Sequence, residues 1–122
     1  GLWEDTAGTL LIWADEQIVG AIAFFSAMYY SGFEIGYIMF DTASRNKGYM
    51  SEALALLVKF LLATKKINRL QLTIIPGNVG SKRVAEKCGF QLEGVMRGAI
   101  FHRGTHLDLE MYSLLRDEAQ GL

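Results

Sequence analysis

The sequence predicts an α+β (α/β layered) fold: a mixed, mostly antiparallel twisted sheet with a central parallel βαβ unit and two helices. Three observations predict it. Apolar segments of strand length come in closely spaced pairs at both ends of the chain; two segments in the middle change to a helical period; and one strand-helix-strand run joins them. The chain has 122 residues, 51% of them apolar and 20% charged. That is apolar surface for one core, so a single domain over residues 1–122 is expected and disorder is excluded.

Residues 10–14 (LLIWA) and 18–25 (IVGAIAFF) flank a polar break, Asp15-Glu16-Gln17, and read as a hairpin. A second turn is expected over residues 29–32 (YYSG). Residues 33–40 (FEIGYIMF) then place Phe33, Ile35, Tyr37 and Met39 on one face and Glu34, Gly36, Ile38 and Phe40 on the other. After Gly48, Leu54, Leu57, Val58 and Leu61 repeat at helical spacing. Leu56, Phe60 and Leu62 widen that stripe and predict a heavily buried helix. Residues 70–75 (LQLTII) form a strand stopped by Pro76-Gly77, which completes a βαβ unit with a parallel pair. Asn78 caps a second, shorter helix running to about Cys88, with Gly89 as its terminator. A strand over residues 90–96, a polar connection containing Gly104, and a strand over residues 107–114 close the chain as an antiparallel hairpin.

Charge is segregated along the chain. Residues 1–44 carry six acids and no base; residues 45–103 carry eleven bases against three acids; the remainder has a net charge of −3, and the whole chain −1. A middle segment this basic points to an anionic ligand, and its acidic flanks argue against a surface wrapped around nucleic acid. The longest uncharged stretch, residues 17–33, falls short of the roughly 20 apolar residues of a membrane span, so no membrane partner is expected. One cysteine, Cys88, requires no oxidising compartment, which makes the cytoplasm the expected location. At a helix C-terminus its thiol pKa is expected to rise, which argues against a thiol nucleophile. His102 and His106 fall in a hairpin, where a four-residue spacing does not build a metal site.

The loop Arg45-Asn46-Lys47-Gly48-Tyr49-Met50 lies between an apolar strand and the start of a buried helix. First-turn N–H groups lack internal partners and sit at the positive end of the helix dipole, so this is an anion-binding position. Gly48 lets the backbone turn, and Arg45 and Lys47 add charge. The spacing is neither a GK[ST] phosphate loop nor a G-x-G-x-x-G dinucleotide signature.

This run, with Ile35-Gly36-Tyr37-Ile38 before it and Ser51-Glu52-Ala53 after it, resembles the pyrophosphate loop of the GNAT superfamily of acyl-CoA N-acyltransferases. Asn78-Val79-Gly80-Ser81 leading to Cys88-Gly89-Phe90 resembles the N-x-x-S helix of its RimJ/RimL-like branch, and residues 104–115 resemble the closing G-x-x-x-D strand. The resemblance implies an N-acetyltransferase with acetyl-CoA as co-substrate and no metal. Its acceptor would be a primary amine, either a protein N-terminal α-amine, such as that of a ribosomal protein, or a small amine. Backbone amides of Lys47, Gly48, Tyr49 and Met50, with Arg45 and Asn46, would hold the pyrophosphate. Ile38, Met39 and Phe40 would pair with the pantetheine arm as an added strand. Asn78 would bond its far end, and Lys82 or Arg83 would reach the 3′-phosphate.

Met50 stands where the family has Gly or Ala, so its side chain is expected to point into the core. Ala85 stands where many members carry a tyrosine general acid, which leaves Ser81 as the donor to the departing thiolate. Glu34 is the expected base for the amine, and an N–H of Met39 or Phe40 the oxyanion donor. The resemblance also implies that the usual first strand and following helices are shortened or absent, and an edge strand left uncovered favours a homodimer. The competing reading is a non-catalytic module, binding acyl-CoA or RNA. RNA would need exposed aromatics, for which Tyr29, Tyr30 and Tyr37 are the candidates.

Overall fold

The computed structural model describes residues 6–26, 31–40 and 47–119. The elements are β1 (Ala7–Ala14), β2 (Gln17–Ser26), β3 (Gly32–Met39), α1 (Tyr49–Thr64), β4 (Arg69–Ile74), α2 (Val79–Lys87), β5 (Gln91–His102) and β6 (Thr105–Leu115), followed by a 3-10 helix (Arg116–Ala119). All six strands join one sheet in the order β1-β2-β3-β4-β6-β5. Every pairing is antiparallel except β3 with β4, which is the pair joined through α1. The expected mixed sheet with one parallel βαβ unit and two helices is what forms.

The core lies between the sheet and the two helices. Phe24, Phe33, Ile35, Leu70, Leu72, Tyr112 and Leu114 face Leu54, Leu57, Val58 and Leu61 of α1 and Ala85 of α2. The α1 stripe is narrower than expected: Leu56 is 60% and Phe60 41% exposed. Each stands one residue, about 100°, before a core position and so points away from the sheet. At the other end of α1, Arg116 donates its Nε to Ile67 O, Nη1 to Leu62 O and Nη2 to Lys65 O at 2.8–2.9 Å. One guanidinium thereby satisfies carbonyls that the helix leaves open at its C-terminus. The hollow beside it, about 580 Å³, is lined by residues 62–68 with Ser31 and Arg116.

The last hairpin differs most from expectation. β5 runs to His102 and does not stop near residue 96, because two irregularities, between Leu92 and Gly94 and between Met96 and Ile100, absorb the intervening residues and keep the ladder to β6. The second is pinned by the Gly98 N–H, which donates to Asp108 Oδ1 at 2.8 Å. Tyr29 and Tyr30 of the expected second turn lie outside the described residues, and Gly32 is already the first residue of β3. No helix among the described residues is long and apolar enough to cross a membrane.

Candidate functional site

The parallel ladder between β3 and β4 has only three steps, Gly32 with Arg69, Phe33 with Leu70 and Glu34 with Gln71. Beyond that vertex β3 continues to Met39 and β4 to Ile74, and the two strands part. Residues 35–39 keep their pairing to β2 on the other side. The Phe40 N–H donates to Val19 O at 2.9 Å. Since backbone groups alternate in direction along a strand, the N–H and C=O of Ile35, Tyr37 and Met39 turn toward the gap. Phe40 therefore has its amide committed to β2, and Met39 is the one of the two expected oxyanion donors whose N–H faces the opening. At about 3.3 Å per residue, the free edge is roughly 16 Å long, enough to lie alongside an extended flexible arm.

The wide end of this gap opens into a cavity of about 960 Å³ walled by Tyr37, Ile38 and Met39 of β3, residues 47–51 at the start of α1, and Asn78 to Ser81 with Arg83, Val84 and Lys87 of α2. Two helix N-termini thus converge on one space. Gly48 caps α1 with φ +79° and provides no side-chain bond. A Cβ there would meet nothing within 4 Å, so the backbone conformation, not crowding, calls for glycine. The first-turn amides of α1 have no carbonyl within the helix to bind, and Lys47, Arg83 and Lys87 surround the mouth. Met50 is buried, 5% exposed, so it enters the core as its size requires. Tyr49 donates to Asp15 Oδ2 at 3.1 Å, tying the β1–β2 turn to the start of α1. On α2, the Asn78 side chain accepts from the Ser81 N–H at 3.2 Å. The Ser81 carbonyl accepts from the Tyr37 hydroxyl at 2.8 Å, which clamps the free edge of β3 to α2.

On the opposite face of the sheet, at the vertex, stands Glu34. Its Oε1 accepts from Gln71 Nε2 at 2.9 Å, and Gln71 Oε1 accepts from Arg69 Nε at 2.8 Å. Gln71 is 2% exposed. Because Arg69 supplies a donor to the carbonyl end of that amide, the amino end is the one presented to Glu34. Arg69 also grips both oxygens of Glu93 at 2.8 Å, and the Ser113 hydroxyl donates to Glu93 at 2.9 Å. The hydrogen bonds from Arg69 and Ser113 hold the Glu93 carboxyl below its ordinary pKa. The unfolded chain then binds a proton to Glu93 more readily than the folded one as the pH falls below the usual carboxylate range. Stability that is fully present at neutral pH is lost over that acid interval. With Arg69→Met, the acid limb of a plot of melting temperature against pH is expected to flatten and to end at higher pH, since the folded-state carboxyl moves back toward its unfolded value; an unchanged limb would show that this pair does not set it. Glu93 is 46% exposed, so solvent screening keeps its share of the stability small.

Other expected residues scatter. Arg45 and Asn46 lie outside the described residues. Arg83 lines the cavity and Lys82 does not. The Cys88 pKa is raised, but by burial, partly offset by Lys87, and its thiol donates to Ser51 O at 3.4 Å. His106 packs its ring on Phe101 at 5.1 Å, and no cluster of three or more metal-binding side chains is found among the described residues. Tyr37, the one RNA-stacking candidate among them, is half-buried with its hydroxyl bound to Ser81, so its ring is not offered to a base. Gln71 and Lys87 were not expected. A glutamine in a strand and a lysine in a helix carry no signal until the fold shows what they face.

Residues 2–91 match the family described as the acetyltransferase (GNAT) domain. The chain is 32% identical over 108 residues to the probable N-acetyltransferase YjcK of Bacillus subtilis (strain 168), covering 86% of this chain and 59% of that protein. It is 27% identical to the ribosomal L7/L12 α-N-protein acetyltransferase RimL solved with coenzyme A, covering 93% of this chain and 64% of that one at a TM-score of 0.84. It is 28% identical to the microcin C7 self-immunity acetyltransferase MccE solved with acetyl-CoA and AMP, covering 91% and 62% at a TM-score of 0.83. The chain spans about three-fifths of the length of such relatives. With its parted parallel strands and a cavity at two helix N-termini, matched by this similarity over most of its length, the chain belongs to the GNAT acetyltransferase family.

Proposed function

We propose that this chain is the acyl-transfer core of an acetyl-CoA-dependent N-acetyltransferase acting on a primary amine by direct attack in a ternary complex. The observation that carries the reading is the gap between β3 and β4, which begins three residue pairs into the ladder and leads into a cavity ringed by two helix N-termini and three bases. A coenzyme A pyrophosphate fits the first-turn amides of α1 with Lys47, and Arg83, lining the same cavity, would reach the 3′-phosphate. The pantetheine arm fits the free edge at residues 35–39, adding main-chain hydrogen bonds as a strand would.

The thioester then arrives at the vertex. The amine approaches from the face that carries Glu34, which takes its proton as the nitrogen attacks; the Ile35 N–H, first of the gap-facing amides past the last β3–β4 step, meets the developing oxyanion, since Met39 lies about 13 Å farther along β3; and the Ser81 hydroxyl, on the cavity wall, hydrogen-bonds the departing thiolate. For the acceptor, a protein N-terminal α-amine is favoured, since RimL acts on such a group by its name. A small amine is the alternative. The setting is the cytoplasm, no metal takes part, and a homodimer would form at one of the sheet edges, β1 or β5.

Isothermal titration tests this. Acetyl-CoA is expected to bind at micromolar concentration, more weakly once the 3′-phosphate is removed, and at least about tenfold more weakly with Gly48→Glu, which sets a carboxylate among the phosphate-binding amides. No binding of acetyl-CoA by the unaltered chain would overturn the reading.

A further inference from the structure

The core holds one buried polar atom without a partner among the described residues, the hydroxyl of Tyr112. Its residue is 1% exposed. An orphaned buried hydroxyl is costly, and a functional ligand is one of the few reasons to keep it. Its position supplies that reason. Tyr112 pairs with Leu72, the first residue of β4 beyond the last β3–β4 step. It therefore stands level with the vertex, on the helix-facing side of the sheet. From across β4, Tyr37 faces it closely enough for charge on one phenol to be felt by the other. Ala85 of α2, fully buried, belongs to the same cluster. Lys82 and Glu86 of α2 and Glu110 of β6 complete its charged surroundings.

We propose that Tyr112 is the general acid of the transfer, donating its proton to the coenzyme A sulfur as the thioester breaks. This rests on the acetyltransferase reading above. In the step, the amine nitrogen forms a bond to the acetyl carbon, the carbon–sulfur bond breaks, the amine proton goes to Glu34, and the Tyr112 proton goes to sulfur. The products are the amide and free thiol, and solvent returns the proton from Glu34 to the phenolate. Base and acid then stand at one level of the sheet on opposite faces, Glu34 on the side of amine entry and Tyr112 on the side of thiolate departure. Tyr37 is unsuited to the role because its proton is already given to Ser81 O. A phenol is also a far stronger acid than the Ser81 alcohol, which keeps the task of holding the sulfur in place. Burial keeps Tyr112 protonated through the neutral range, and the same dry surroundings raise the basicity of the thiolate it serves.

The test is Tyr112→Phe, a change that removes a hydroxyl with no partner in the folded chain and so should leave the melting temperature equal or higher. Turnover is followed as thiol release from acetyl-CoA, with a short peptide bearing a free α-amine and with hydroxylamine, a small nucleophile that needs no acceptor groove. The expected result is a fall in kcat of about 100-fold with an unchanged KM for acetyl-CoA. Affinity for product coenzyme A should weaken roughly tenfold, one hydrogen bond to the sulfur, with acetyl-CoA affinity unchanged. A kcat within threefold of the unaltered chain, or an unchanged product affinity where neither nucleophile is used, overturns the assignment. If Ser81→Ala is silent and Tyr112→Phe is normal, the acetyltransferase reading stands and this part of it fails. If the unaltered chain binds no acetyl-CoA, both fail.

Discussion

Gly32→Val is expected to leave the chain largely unfolded, with a loss of more than about 4 kcal/mol in stability. A Cβ at Gly32 would stand 2.0 Å from the Arg69 carbonyl oxygen and 2.8 Å from its carbonyl carbon. Both are backbone atoms that cannot rotate aside. Relief requires β3 and β4 to separate at the first of only three parallel steps. The adjoining contacts leave little freedom for that, since Ser31 O accepts from both Asn68 N–H and Arg69 N–H. Overpacking elsewhere in a core is answered by small shifts and costs about 1–3 kcal/mol; here the clash is with the ladder itself. Circular dichroism melts of Gly32→Ala and Gly32→Val check it, the expected order being a progressive loss from glycine to valine. A valine variant with the original melting temperature would mean that the strands do not approach this closely.

That ladder shows where sequence reasoning stopped. The strand-helix-strand pattern over residues 33–75 contains the parallel pair, and Gly48 before an apolar helix marks the helix start that opens on the cavity, because periodicity and first-turn chemistry are local. How far β3 and β4 stay paired is not local. Residues 33–40 are apolar on both faces toward their end, and such a run reads the same whether a strand or a ligand lies beside it. The full reach of β5 was hidden for a related reason: Gly94 and Gly98 look like loop residues in a sequence and act as bulge residues in the sheet. Tyr112 alternates with Asp108 and Glu110 against Leu107, Leu109 and Met111 and so reads as a residue of the polar face; the packing instead buries its ring in the core and leaves its hydroxyl without a partner among the described residues. Leu56 and Phe60 erred in the other direction, since an apolar residue one position from the stripe suggests burial that the geometry of α1 does not deliver.

Glu34→Gln is expected to lower kcat by about 10² to 10⁴-fold, the range of a lost general base, while the affinity for acetyl-CoA and the melting temperature stay close to the original. The separation follows from the two faces of the sheet. Glu34 alternates with the helix-facing Ile35 and Tyr37 and so lies on the side away from the cavity walls proposed to take coenzyme A. The bond it accepts from Gln71 Nε2 survives in the variant, because a glutamine side-chain oxygen accepts as a carboxylate oxygen does. What is removed is the capacity to take a proton. Gln71→Leu makes the complementary change: Glu34 keeps its carboxylate but loses the donor that aims it, and Arg69 Nε loses an acceptor in a buried position. That variant should lose stability as well as turnover, with a smaller fall in kcat, about tenfold, since a carboxylate that rotates still meets the amine part of the time. Steady-state kinetics with varied amine at saturating acetyl-CoA distinguish the cases. Full activity in Glu34→Gln would move the proton-accepting role to water or to another group, and would reduce the Arg69–Gln71–Glu34 chain to a device that holds β3 and β4 in register at the vertex.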